Sequence, residues 1–266
     1  MERSSQKQVA VDGSWVTVDV YGDRDGPAIV MIPGVLADSA AWAGVARHLQ
    51  GWQTVAVVNR RGRHPSGPLT DTYTLETEVQ DAMAVLGKFT DVRTLFGWSY
   101  GGLIALHVAN ALEVPHVIAY EPVMAPFGAQ ALPDLRQADG DADLDASVEV
   151  ALRQVTGMGN GMIEALRSQG SVWAGMRRLS PPIYAETLAI NEATQPEKLA
   201  VNSAGVDLIV GEMNRGRAPY GTSFDDVTRR VANATVHELS GQAHMAHLEA
   251  PEHLAALVNR IRASAA

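Results

Sequence analysis

The apolar and polar positions of the chain follow two periods, one typical of strands and one typical of amphipathic helices. Residues 9–21 alternate apolar and polar side chains around Asp12-Gly13, which predicts an antiparallel hairpin at a sheet edge. Continuous apolar runs predict strands covered on both faces, at 28–32, 54–58, 93–98 and 116–120. Helical spacing separates these runs, at 42–49, 75–89 and 102–111. This order predicts an α/β fold with a mostly parallel, twisted sheet flanked by helices.

The strand pattern is interrupted after Glu121-Pro122 by an interval, 127–200, that is too long for a structureless loop in a compact domain. Helical spacing occupies four stretches of this interval, at 146–156, 162–169, 172–179 and 183–193. We therefore predict a helical cap over 127–200, inserted after the sixth strand. The acidic residues between 134 and 145 lack the order of a calcium-binding loop and are interpreted as a solvated linker into the cap.

The alternation of strand and helix patterns resumes after residue 200. Strands are predicted at 207–210 and 235–239, with helices at 225–231 and 252–263. The predicted core domain therefore consists of 1–126 and 201–266, and its sheet has about eight strands.

Composition and charge limit the possible partners. The 266 residues include no cysteine, which excludes disulfides, thiolate metal sites and a cysteine nucleophile. The formal net charge of −9 disfavours nucleic acid and anionic membranes, since phosphate groups are bound through lysine and arginine. The chain has no apolar leader or spanning run, so we expect a soluble cytoplasmic protein. We expect a small, largely apolar substrate, no cofactor and no metal, and the sequence does not define an oligomeric state.

A serine nucleophile is predicted where the strand 93–98 meets the helix 102–111. The pattern Gly97-x-Ser99-x-Gly101 is that of a nucleophile elbow, a strand-to-helix turn that raises a serine hydroxyl above a sheet. The backbone amide of Tyr100, next after the serine, can donate to an oxyanion formed there. The alternative is an ordinary turn whose serine only caps the helix.

The general base is predicted to be His244. A serine hydroxyl needs a base to remove its proton, and the chain offers eight histidines. His244 follows a glycine-containing loop just beyond the predicted strand 235–239, where a side chain can reach the elbow. The main competitor is His247, which is interpreted as packing under the closing helix.

Four short segments occur in the order found in the α/β-hydrolase superfamily, which the whole chain resembles: Met31-Ile-Pro-Gly34, Asn59-Arg-Arg-Gly62, Gly97-Trp-Ser-Tyr-Gly101 and Gly241-Gln-Ala-His244. The resemblance implies an α/β-hydrolase fold and a triad of nucleophile, acid and base. It also implies that the Val35 amide is the second oxyanion donor and that the Asn59–Gly62 turn supports that loop.

The triad acid departs from the usual pattern of that superfamily. Most members place an aspartate after the penultimate strand, where this chain has Asn214, which cannot carry the charge. Zearalenone-type lactonases and cofactor-free quinolone dioxygenases place the acid after the strand that follows the elbow helix, and the resemblance to them points to Glu121. Other candidate acids are Glu212, Asp225 and Asp226.

The sequence predicts a serine hydrolase that cleaves a carboxylic ester or lactone through a Ser-His-Glu triad. Side chains predicted to line its pocket are Trp98, Met124, Met245 and Trp173. Three alternatives stay open at this point: a cofactor-independent dioxygenase of a hydroxyquinolone, a non-catalytic small-molecule binder, and a carbon-carbon hydrolase on the same fold.

Overall fold

The structure, a computed structural model, describes residues 1–23 and 25–265. Its strands are β1 (Arg3–Val11), β2 (Ser14–Gly22), β3 (Ala28–Ile32), β4 (Thr54–Asn59), β5 (Val92–Trp98), β6 (Val114–Tyr120), β7 (Ser203–Gly211) and β8 (Thr235–Leu239). They form one eight-stranded sheet in the order β1-β2-β4-β3-β5-β6-β7-β8. The pairs β1-β2 and β2-β4 are antiparallel and the other pairs are parallel. The predicted mostly parallel sheet is confirmed.

Helices cover both faces of this sheet. They are α1 (Ala43–His48), α2 (Leu75–Leu86), α3 (Tyr100–Ala111), α9 (Tyr220–Thr228), α10 (Ala246–Glu249) and α11 (Pro251–Ala265). A further group lies between β6 and β7, and we call it the helical insertion: α4 (Leu132–Gly140), α5 (Leu144–Val150), α6 (Asn160–Ser168), α7 (Gly170–Leu179) and α8 (Ile183–Glu192). The boundaries of a separate cap domain stay a prediction.

Two apolar layers hold the sheet between its helices. Side chains of a strand alternate between faces, so a strand that is apolar at every position supplies both layers. Val30 and Leu95 belong to the layer that contains side chains of α2 and α3, whereas Met31 and Phe96 belong to the layer that contains side chains of α1 and α11. This burial explains why β3 and β5 are continuous apolar runs in the sequence.

Four parallel strands, β5 to β8, are neighbours in the sheet and point the same way. Their carboxyl ends therefore lie along one edge. Ser99 follows β5, Glu121 follows β6, Asn214 follows β7 and His244 follows β8. The topology thus gathers four candidate residues that are far apart in the chain.

Two local predictions were wrong. The acidic stretch interpreted as a linker contains α4, which has a proline in its first turn and buries Leu135 and Ala138, so its acidic side chains occupy the outer face of a packed helix. The helix predicted at 225–231 begins earlier, at Tyr220, and ends at Thr228. Among the described residues, no helix combines the length and the apolar character needed to cross a bilayer.

Candidate active site

Ser99 lies in a turn between β5 and α3 that excludes side chains at both flanking glycines. A Cβ at Gly97 would lie 2.2 Å from the Gly101 oxygen, and a Cβ at Gly101 would lie 2.0 Å from the Ile32 oxygen. The φ of Ser99 is 57°, in the left-handed region that costs energy for a residue other than glycine. The side chain of Ser99 is almost completely buried. This strained geometry is the one expected of a nucleophile elbow.

Glu121 and His244 form a close pair inside the protein. The Glu121 Oε2 atom lies 2.6 Å from the His244 Nδ1 atom. The Glu121 side chain has no exposed surface, and its φ of 41° is again positive. Its own amide donates to the Ile209 oxygen at 2.8 Å, which fixes the strained residue at the end of β6. A carboxylate at Nδ1 selects the imidazole tautomer whose Nε2 atom is free to accept a proton.

Contacts made at Ser99 and at the neighbouring Trp98 link this turn to both Glu121 and His244. Its amide donates to the Tyr120 oxygen at 3.0 Å, and Tyr120 immediately precedes Glu121. Trp98, on the other side, donates from Nε1 to the His244 oxygen at 2.9 Å. The Trp98 ring also packs on the imidazole, with 4.7 Å between the ring centroids. Serine, glutamate and histidine are therefore brought together at one edge of the sheet.

The Glu121 carboxylate accepts two further donors from the turn that ends β7. The Gly211 amide donates to Oε1 at 2.8 Å. The Asn214 Nδ2 atom lies 3.0 Å from Oε1 and 2.9 Å from Oε2. Asn214 was identified in the sequence only as a missing acid, and its role as a donor to Glu121 was not predicted.

The other candidate acids have different partners. Glu212 accepts the Gly241 amide at 2.6 Å, Asp226 pairs with Arg229, and Asp225 is exposed on α9. The carboxylate found against His244 is that of Glu121.

His244 is held in an aromatic environment that the sequence did not reveal. The Tyr220 ring stacks on the imidazole with 3.6 Å between centroids and an angle of 15°. Burial lowers the pKa of His244 below its ordinary value, although the hydrogen bond that His244 donates to Glu121 acts in the opposite direction. A lowered pKa keeps the imidazole neutral, the form that a general base requires. Tyr220 lies in a segment with no motif, so no sequence signal pointed to it.

His247, the competing histidine, has a different environment. Its ring stacks on Trp42 with 4.6 Å between centroids and an angle of 4°, and it is almost fully buried. Burial, and to a smaller extent His244, lowers its pKa to about 3. These contacts describe a neutral packing residue next to the site.

The loop after β3 lies directly against Ser99. A Cβ at Gly34 would lie 2.8 Å from the Ser99 Cβ. Arg60 donates to the oxygens of Pro33 and Gly34, each at 2.9 Å. The Gly34-Val35 peptide is trans, so its N–H points opposite to the carbonyl held by Arg60. Tyr100 begins α3, where the backbone N–H groups have no partner within the helix. Val35 thus follows the glycine that contacts Ser99, and Tyr100 follows Ser99 itself, while their role as oxyanion donors stays a prediction.

Arg60 belongs to a buried ionic network that joins the core to the helical insertion. It lies 2.7 Å from Glu78 on α2 and 2.6 Å from Glu186 on α8. Arg63 forms a bidentate pair with the same Glu186 at 2.7 Å. Burial opposes ionisation of Glu186, but Arg60 and Arg63 together lower its pKa. The network therefore fixes α8 against the loop that carries Val35.

The four predicted pocket residues have different environments. Trp98 is buried and packs on His244, Met124 is buried in the core three positions after Glu121, and Met245 is exposed next to His244 in the chain. Trp173 packs with Val148, Leu152 and Ile163 in a small core of the insertion, and its indole N–H donates to Asp145 at 2.6 Å. Trp173 is therefore part of the insertion's own core, and its place in the pocket stays a prediction.

A second polar cluster lies elsewhere in the fold. A groove of about 720 Å³ is lined by residues near the opposite ends of β5 to β8, and it contains Asp207. Both carboxylate oxygens of Asp207 lie 2.5 Å from an imidazole Nε2 atom, one of His116 and one of His237. None of the candidate triad residues lines this groove. Within the described part of the chain, no group of three or more histidine, aspartate or glutamate side chains is arranged to hold a metal ion.

Comparison with known sequences gives a family match over most of the chain. The sequence profile described as the alpha/beta hydrolase family matches residues 29–257. The uncharacterized hydrolase YraK of Bacillus subtilis is 32% identical over 119 residues, which are 43% of this chain and 43% of that protein. The chain is thus aligned with less than half the length of this relative.

Comparison with solved structures extends over nearly the whole chain. An alpha/beta hydrolase from Sphaerobacter thermophilus has a TM-score of 0.76 at 23% identity, covering 96% of this chain and 100% of that one. An enol-lactonase from Burkholderia xenovorans has a TM-score of 0.75 at 18% identity, covering 97% and 100%. The esterase RhEst1 from Rhodococcus has a TM-score of 0.74 at 18% identity, covering 98% and 100%. At these identities the likeness is one of fold.

Proposed function

The chain belongs to the alpha/beta hydrolase family, and from this premise we propose that it cleaves a carboxylic ester or lactone of a small, largely apolar substrate by serine catalysis. The contact between Glu121 Oε2 and His244 Nδ1 carries the proposal, because it gives the imidazole the tautomer and the counter-charge that a general base needs. The strained position of Ser99 at the elbow supports the role of nucleophile.

The proposed reaction begins when His244 Nε2 removes the hydroxyl proton of Ser99. The serine oxygen attacks the carbonyl carbon, and the electron pair of the C=O bond moves to the oxygen. The amides of Val35 and Tyr100 stabilise this oxyanion. The imidazolium, stabilised by Glu121, gives its proton to the leaving alcohol as the tetrahedral intermediate collapses. Water then repeats the sequence on the acyl-enzyme and releases the acid.

The ester or lactone class is supported by the similar structures and by the apolar surroundings of the triad. Two of the similar structures are an enol-lactonase and an esterase. Trp98, next to Ser99 in the chain, is apolar and buried, and so is Met124, three positions after Glu121. The dioxygenase alternative is weakened because the positions that carry histidines in those enzymes are Ala37 and Trp98 here. Trp98 instead packs on His244.

The first test compares three activities of the purified wild-type protein. We expect turnover of p-nitrophenyl esters or of an aliphatic lactone, together with covalent labelling of Ser99 by a fluorophosphonate, located by peptide mass spectrometry. Oxygen uptake with a hydroxyquinolone and no labelling of Ser99 would favour the dioxygenase. A protein that shows none of these activities would favour a binder.

The pH dependence of kcat/KM should reflect the lowered pKa of His244. The imidazole must be neutral to accept the serine proton, so activity is lost as the pH falls through the pKa of His244 in the free enzyme. Because burial lowers that pKa, the acidic limb should have its midpoint below about 6.5, the ordinary value for histidine. Initial rates with a p-nitrophenyl ester, measured between pH 4.5 and 8, would give the midpoint. A midpoint at or above the ordinary value contradicts the buried environment of His244.

A further inference from the structure

The turn that ends β7 contacts both the acid and the base of the candidate triad. Its Asn214 amide donates to both oxygens of Glu121, and Oε2 is also the oxygen that His244 contacts. In the same turn the Met213 amide donates to the Gln242 oxygen in the histidine loop at 3.0 Å. Residues 211–214 therefore fix the carboxylate and the loop of the imidazole relative to each other.

The backbone around Asn214 is tightly packed. Its carbonyl oxygen accepts the Arg217 amide at 2.8 Å. A Cβ at Gly221 would lie 1.9 Å from the same oxygen, so the start of α9 approaches Asn214 as closely as a glycine permits. A Cβ at Gly211 would lie 2.6 Å from the Gln242 oxygen. These contacts fix the backbone of Asn214, so its side-chain amide is already in position to donate to Glu121.

We propose, on the basis of the proposed function, that Asn214 is a positioning residue that makes Glu121 usable as the triad acid. A buried carboxylate is stable only when its oxygens receive donors. The Asn214 amide supplies two contacts and adds no charge. An aspartate of the same shape would bring a second carboxylate to about 3 Å from Glu121, and two carboxylates at such a distance share a proton. If Glu121, after β6, is the triad acid, the residue at position 214, after β7, therefore has to be neutral.

The carboxyl added by Asn214→Asp should change the pH dependence of the reaction. Near neutral pH the added carboxyl brings an extra proton into the cluster, held either between the two carboxyls or on His244. The productive state, with anionic Glu121 and neutral His244, is then reached only at higher pH. We expect the acidic limb of kcat/KM to move up by about one pH unit or more, with a correspondingly lower kcat/KM at pH 7.

Asn214→Ala tests the donor without adding a charge. We expect kcat to fall roughly tenfold, the scale of lost hydrogen bonds to a buried charged group, while KM changes less than about twofold. Asn233→Asp is the matched control, since Asn233 is exposed in the turn before β8 and the substitution makes the same chemical change. It should leave the rate and the pH profile as in the wild type.

A second readout separates this proposal from the proposed function. The titration of the His244 Cε1-H signal, followed by NMR in ¹³C-histidine-labelled protein and assigned with His244→Gln, requires no turnover. A wild type without ester turnover or fluorophosphonate labelling contradicts the proposed function, whatever the titration shows. Unchanged kcat, pH profile and His244 titration in folded Asn214→Asp and Asn214→Ala contradict the positioning role. Failure of both variants to fold also contradicts it, because Asn214 would then serve the fold.

Discussion

Replacing Ser99 with alanine is expected to lower kcat for ester cleavage by roughly 10⁴- to 10⁶-fold, the loss found when the nucleophile of a serine triad is removed. The variant lacks the hydroxyl of the proposed nucleophile, whereas the contact between Glu121 and His244 stays in place. The substitution removes one buried oxygen, so the protein should fold as before. Steady-state kinetics on the best p-nitrophenyl ester, together with fluorophosphonate labelling, would measure the loss.

Ser264→Ala provides the control for that experiment, since Ser264 is exposed on α11 at the end of the described chain. Its kinetics and labelling should match the wild type. If the Ser99→Ala variant keeps a tenth or more of the wild-type kcat, Ser99 is not the nucleophile and the acyl-enzyme mechanism is wrong.

Replacing Arg60 with methionine should have the largest effect on stability. The substitution leaves Glu78 and Glu186 without the guanidinium that lies between them, and both carboxylates are buried. Breaking a buried ion pair by removing one partner costs about 3–5 kcal/mol of unfolding free energy, equivalent to a fall in Tm of roughly 10 °C for a protein of this size. Urea unfolding monitored by circular dichroism would give the free energy.

Arg93→Met is the matched control, because Arg93 is largely exposed and pairs with Asp91 two residues away. An exposed pair contributes about 1 kcal/mol or less. Arg60→Met should also lower kcat, since Arg60 holds the Pro33 and Gly34 carbonyls of the predicted oxyanion loop. Equal stability losses in the two variants would show that the buried network has no special role.

The strands, the elbow and the histidine loop could be predicted because each depends on local pattern. A strand buried on both faces has to be apolar throughout, and a turn as tight as that at Ser99 requires Gly97 and Gly101 whatever the rest of the chain does. The resemblance to the α/β hydrolases added Glu121, and the structure places its carboxylate against His244. The catalytic role of the three residues stays a prediction.

Contacts between distant segments could not be predicted in the same way. Tyr220 stacks on His244 and Asn214 donates to Glu121 only because β6, β7 and β8 end side by side, and neither residue carries a motif. The pairing of Glu186 with Arg60 and Arg63 joins positions more than a hundred residues apart. Trp173 was assigned to the pocket from its apolar character, which the small core of the insertion uses equally well. Helix α4 was not predicted because it carries several polar residues and only two of its residues, Leu135 and Ala138, are buried.

The ion pairs of Glu186 have a consequence for which parts of the helical insertion can change. Glu186 pairs with two core arginines, and one of them, Arg60, also donates to the carbonyls of the loop after β3, so the same ionic pairs join α8 to that loop. The segment before α8 has open space beside its glycines: a side chain added at Gly159, Gly161, Gly170 or Gly175 would meet nothing within 4 Å among the described residues. We therefore expect side-chain changes in α6 and α7 to leave the position of α8 unchanged. Exchanging residues 157–179 for those of a relative should therefore leave the ionic pairs of Glu186 intact.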